Sequence, residues 1–183
     1  MRIFTSTLLA LVLTVNAWAE DVQVTAVTVD AQGKMFTAMA TFSGGLSLDG
    51  KNFTATIDAT RIQDLYFETN ITVPDTEVGK TVEIMLVVGS DTTPPYDGAD
   101  AVYNSVNIKN RLTPVDLYAT PDIWMAQLTD PYKTGIVLKK TMTIKLGRRK
   151  MPLPGMYFVY AAYRDADGAI TYSPQPAVIT ITG

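Results

Sequence analysis

Side-chain alternation with a period of two runs through this chain, and no stretch of twelve or more residues carries the 3.6-residue period of a helix. A chain patterned in this way folds by pairing strands, and the register of each strand decides which of its faces meets the core. Val22 and Val24, then Val27 and Val29, change phase at Thr25-Ala26, which predicts a first strand with a bulge. Residues 35–42 predict a second strand, with Phe36, Ala38, Ala40 and Phe42 on one face. Leu48-Asp49-Gly50-Lys51 carries the Asp-Gly pair of a tight hairpin turn into a strand over 52–57. Further strands are expected over 65–73, 80–88, 134–139, 140–146, 156–164, 169–173 and 177–182. Asp165-Ala166-Asp167-Gly168 supplies another turn. About ten short strands with turns at this spacing predict an all-β, two-sheet sandwich of immunoglobulin-like or jelly-roll type, with a barrel as the alternative.

Residues 90–135 interrupt the rhythm. They hold Pro94, Pro95, Pro114, Pro121 and Pro131 together with Trp124, Tyr96, Tyr103, Tyr118 and Tyr132. A long, loop-rich segment with aromatics is expected there, with short strands near 103–108 and 115–118.

The first 19 residues have the layout of a cleavable signal peptide: Arg2 as the positive n-region, an apolar stretch around residues 8–15, and Ala17-Trp18-Ala19 before Glu20. Thr14 and Asn16 cut the apolar run short of the roughly 20 residues that a spanning helix needs. Cleavage would leave residues 20–183 as a single β-sandwich domain, long enough to bury roughly 70% of its unfolded surface. No second apolar span follows, so no membrane span is expected after cleavage. Cysteine is absent, so packing and strand pairing must hold the domain without disulfides. Export without cysteine points to the periplasm or cell exterior of a Gram-negative bacterium.

Charge is unevenly spread. Residues 20–100 carry 13 acids against 4 bases, whereas residues 131–164 carry 8 bases and no acid. One reading is that these opposite charges meet across neighbouring strands. The other is two faces of opposite sign, suited to association. An acidic, exported domain is a poor nucleic-acid binder, and none is expected as partner.

Histidine and cysteine are both absent, which excludes Ser-His-Asp and Cys-His catalysis and the zinc or copper sites built on those ligands. A glycosidase would need two facing carboxylates; Asp64 with Glu68, and Glu77 with Glu83, are the pairs that spacing offers, and nothing in the pattern separates them from solvated strand faces. The chain is therefore expected not to be an enzyme. Calcium fits the remaining oxygen ligands best, and Asp91, Asp97 and Asp100 share one stretch. Asp165-Ala166-Asp167-Gly168 starts like an EF-hand loop, but the twelfth position is Pro176, so a hairpin turn is the better reading. Tyr96, Tyr118, Trp124 and Tyr132 are candidates for a sugar-stacking platform, or for large side chains that pin the irregular segment onto the sheet.

Leu153-Pro154-Gly155, Tyr163-Arg164-Asp165-Ala166-Asp167-Gly168, Ile170-Thr171-Tyr172-Ser173 and Gln175-Pro176 resemble the closing segment of poorly characterised β-sandwich modules in secreted and cell-surface proteins of Gram-negative bacteria. Phe42-Ser43-Gly44-Gly45-Leu46-Ser47-Leu48-Asp49-Gly50 and Val78-Gly79-Lys80 with Ile84 stand where similar modules carry a hairpin and strand. The resemblance implies a scaffold or adhesion module and brings no catalytic residue. The expected function is thus a non-catalytic exported domain acting by contact, as a structural, adhesion or assembly component. A protein partner or self-association is expected, with an end strand over 21–30 pairing with a neighbour's sheet edge. The alternative is a carbohydrate-binding module that takes a glycan on the aromatics of 90–135.

Overall fold

A computed structural model describes residues 23–94, 101–107, 109, 111–114, 128 and 130–183. Twelve strands, and no helix, are present among these residues: β1 (Val24–Val29), β2 (Met35–Ser47), β3 (Thr56–Thr60), β4 (Leu65–Thr72), β5 (Thr81–Asp91), β6 (Val102–Val106), β7 (Leu112–Pro114), β8 (Lys133–Val137), β9 (Thr141–Arg149), β10 (Gly155–Arg164), β11 (Ile170–Tyr172) and β12 (Ala177–Thr182). All are hydrogen-bonded into one sheet system whose main path runs β7-β6-β5-β10-β11-β1-β2-β4-β9. The two beyond the ten longer strands expected are β6, near the short strand expected at 103–108, and β7, which was not, while the predicted strand over 52–57 gives way to β3, four residues further on.

That displacement has a local cause. Asp49-Gly50 does not close a tight hairpin: the Asp49 carboxylate accepts the backbone N–H groups of Lys51 and Asn52, at 2.8 and 2.9 Å, and the side-chain amide of Asn52 at 2.7 Å. These bonds, together with the Ser47 hydroxyl, hold the carboxyl well below the usual carboxylate range. The chain makes a wider loop, touches β2 only at the Leu46–Thr54 bridge, and then runs parallel to β12 as β3. An Asx-type loop competes with the hairpin wherever an Asp side chain can satisfy successive backbone donors.

β10 is the centre of the molecule. One face carries Tyr157, Val159, Ala161 and Tyr163, the alternation expected from sequence, into the main core; the other carries Tyr160 and Ala162 into a second cluster with Met85, Val87, Leu128, Ile170 and Tyr172. Residues of β2, β4 and β9 share the main core with residues of β5, β10 and β12, so the sheet folds back on itself around one apolar interior. On its far side β10 pairs first with β12, over residues 155–159, and then with β11, over residues 162–164. The sheet therefore splits beside Tyr160 and Ala161, and Ser173 to Pro176 cross the split.

The phase change in β1 falls where the sequence places it. Ala26 enters the main core while Val27 and Val29 join the second. The extra residues stand on the partner strand: Thr25 faces Thr41 and Val27 faces Thr37, so residues 38–40 of β2 oppose Ala26 alone.

Candidate functional site

The expectation that β1 offers a free edge is corrected: it lies between β11 and β2, paired with β2 along its length and with β11 over Val27–Val29. A five-residue turn over 30–34 joins it to β2, and β11 lies on its other side; that distant pairing is what local alternation cannot show. Of the aromatic candidates, Tyr96, Tyr118 and Trp124 lie outside the described residues. Tyr132 is half-buried against the main core, donates its hydroxyl to the Lys145 carbonyl of β9 at 3.2 Å, and has the Lys133 ammonium 5.4 Å from its ring centre. This residue pins its segment to the sheet. Of the calcium candidates, Asp97 and Asp100 lie outside the described residues, and Asp91 is 1% exposed, accepting the Thr93 N–H at 3.1 Å. Among the described residues no three acids gather in a metal-sized group.

Part of the charge asymmetry is taken up by pairing. Each of the four ion pairs among the described residues joins an acid from 64–83 to a base from 140–164: Asp75 with Lys140 and Glu68 with Lys145, both at 2.6 Å, Asp64 with Arg148 at 3.6 Å, and Glu83 with Arg164 at 2.5 Å. Glu68 and Lys145 face each other directly across β4 and β9. The glycosidase pairs are likewise engaged, because Glu77 accepts the Tyr163 hydroxyl at 2.7 Å while Asp64, Glu68 and Glu83 are in those ion pairs. Arg164 additionally donates to the Leu128 carbonyl, tying the second cluster to β10.

What the pairing leaves open is on β2. This strand pairs with β4 only from Thr41 onward, so among the described residues its first part, 35–40, has no partner strand on the side away from β1. Free edges invite pairing with another chain, and proteins usually blunt them with charge or proline. β3 carries Asp58, β7 carries Pro114, β8 carries Lys133, and β9 carries Lys145, Arg148 and Arg149. Residues 35–48 carry no charge and no proline. Met35, Phe36 and Met39 are 43%, 49% and 76% exposed. The alternation of 35–42 was legible in the sequence; its exposure was not, since Phe36 lies in the same phase as the buried Ala40 and Phe42.

The second part of β2 shapes a cleft of about 370 Å³. Its walls include Phe42, Phe53, Phe67, Val159, Ala161 and Ala177, and it opens where β11 and β12 part. Gly44 and Gly45, at φ of 111° and 148°, bend β2 over it. A side chain at Gly44 would strike the Glu68 carbonyl, and one at Gly45 the Thr54 carbonyl, so the bend requires glycine at both positions. The Asp49 loop fixes the chain that delivers Phe53. No part of this cleft was foreseen from the sequence, although Gly44-Gly45 was its available signal.

No protein-family model and no curated protein matches the chain. Among the described residues no helix is long and apolar enough to cross a membrane.

Proposed function

We propose that this is a non-catalytic, exported two-sheet β-sandwich that acts by contact, as a structural, adhesion or assembly component of the periplasm or cell surface. The observation that carries this reading is the uncharged edge at residues 35–40 of β2, with Phe36 and Met39 exposed. A second strand added there would satisfy main-chain donors and acceptors and cover apolar surface in one step. Four ion pairs join the two oppositely charged stretches within the domain, which weakens the case for attraction between opposed faces and favours backbone and apolar contact at the β2 edge as the basis of association. Light scattering coupled to size exclusion on residues 20–183 tests the proposal. Self-association that persists at high salt, and that Phe36→Lys with Met39→Lys converts to monomer, is the expected result. A monomer at every salt and protein concentration would overturn it.

A further inference from the structure

We infer that the cleft under the β2 bend is a binding site for an uncharged, predominantly apolar small molecule. The site is distinct from the 35–40 edge. Three separate features build it: the paired glycines that carry β2 over it, the Asp49-braced loop that presents Phe53, and the crossing of Ser173 to Pro176 over the split beside β10. Its volume of about 370 Å³ falls within the range of small-molecule sites, which are concave, mostly apolar and preformed.

The lining fixes the chemistry. Among the described residues no ionisable side chain lines the cleft, so a charged ligand would lose its hydration without gaining a counter-charge from them. Three of the four hydroxyls that border it donate to backbone, Thr54 to the Thr56 carbonyl at 2.8 Å, Thr69 to that of Ser43 at 3.2 Å, and Ser173 to that of Gln175 at 2.8 Å, so these three offer a ligand only acceptor lone pairs. The side-chain amide of Gln175, exposed at the rim, remains for one polar group of a ligand. Sugars, which need many polar partners, do not match such a lining, whereas an alkyl chain or a small fused ring does.

The neutral fluorophore N-phenyl-1-naphthylamine serves as probe on residues 20–183. Saturable, one-to-one enhancement is expected, displaced by 1-decanol and at least about tenfold less effectively by decanoate, whose chain is the same but charged. Ala55→Trp, at an exposed wall position, should weaken probe binding about tenfold or more by filling the space, and Phe53→Asp should do likewise by placing a charge in it. Phe36→Lys with Met39→Lys should leave probe binding unchanged, which separates this site from the association edge. Absence of saturable binding, equal displacement by decanol and decanoate, or unaltered binding in a folded Ala55→Trp variant would each overturn the inference.

Discussion

The outer edge of β9 and the outer edge of the first part of β2 both lack a partner strand among the described residues, yet they are built in opposite ways. β9 carries Lys145, Arg148 and Arg149 along nine residues, and its Lys145 carbonyl is occupied by the Tyr132 hydroxyl. The β2 edge presents methionine, phenylalanine, threonine and alanine, with no charge for fourteen residues. An approaching strand would have to desolvate several cations at β9 and none at β2. The difference teaches that the two halves of one strand, β2, have separate duties: the half after Thr41 closes the core, and the half before it sends Ala40 inward but leaves Met35, Phe36 and Met39 exposed.

The comparison breaks most severely at Gly45→Val. With no room beside the Thr54 carbonyl, the half after Thr41 cannot keep its path over the cleft, and the loss should reach about 3 kcal/mol or more in a denaturant titration. Full stability in this variant would show that the core-closing half needs no glycine beside Thr54. Alkaline pH should next separate both edges from the centre. Burial pushes the Tyr160 hydroxyl up to about 12 from 10.0, and burial with the Glu77 contact raises that of Tyr163 further. The unfolded chain thus releases these protons first, so stability is complete below pH 10 and declines between about 10 and 12. A melting temperature unchanged across that window would contradict the burial of β10 on both faces.

Smaller effects sharpen the contrast. Tyr132→Phe removes the tether of the β9 edge and should cost about 1 kcal/mol, without altering association. Arg148→Thr, Arg149→Thr and Lys150→Thr together should change stability by about 0.5 kcal/mol or less while making a second adhesive edge, read as salt-insensitive growth in particle size. The smallest change is expected for Lys145→Met opposite Glu68, about 0.5 kcal/mol at low salt, vanishing at about 1 M salt.

Much of the fold was legible. The strands over 65–72, 156–164, 170–172 and 177–182 stand close to where alternation put them, because each has one face against apolar residues and the pattern records it. The Asp165 turn formed as read, with the Asp165 carboxylate taking the N–H groups of Asp167 and Ala169 at 3.0 and 2.9 Å. The Asp49 turn did not, although it offers the same Asp-Gly pair, since the side-chain bonds that widen it depend on Ser47 and Asn52. Of the candidate site little was legible. Tyr132 was available as a platform or as a pin, and its position against β9 made it a pin. The cleft depends on residues from five strands and their connecting loops, so no short window of sequence contains it.

By itself the sequence determined the all-β class, the faces of most strands, and the absence of thiol and imidazole chemistry, because these follow from residue type and from a period of two. Only the tertiary structure decided which strands became edges, which acid met which base, and where β11 and β12 part to leave a cleft. Strand faces are set by neighbours two residues away, whereas strand partners are set by residues as distant as Thr28 and Thr171, whose hydroxyls meet at 2.8 Å.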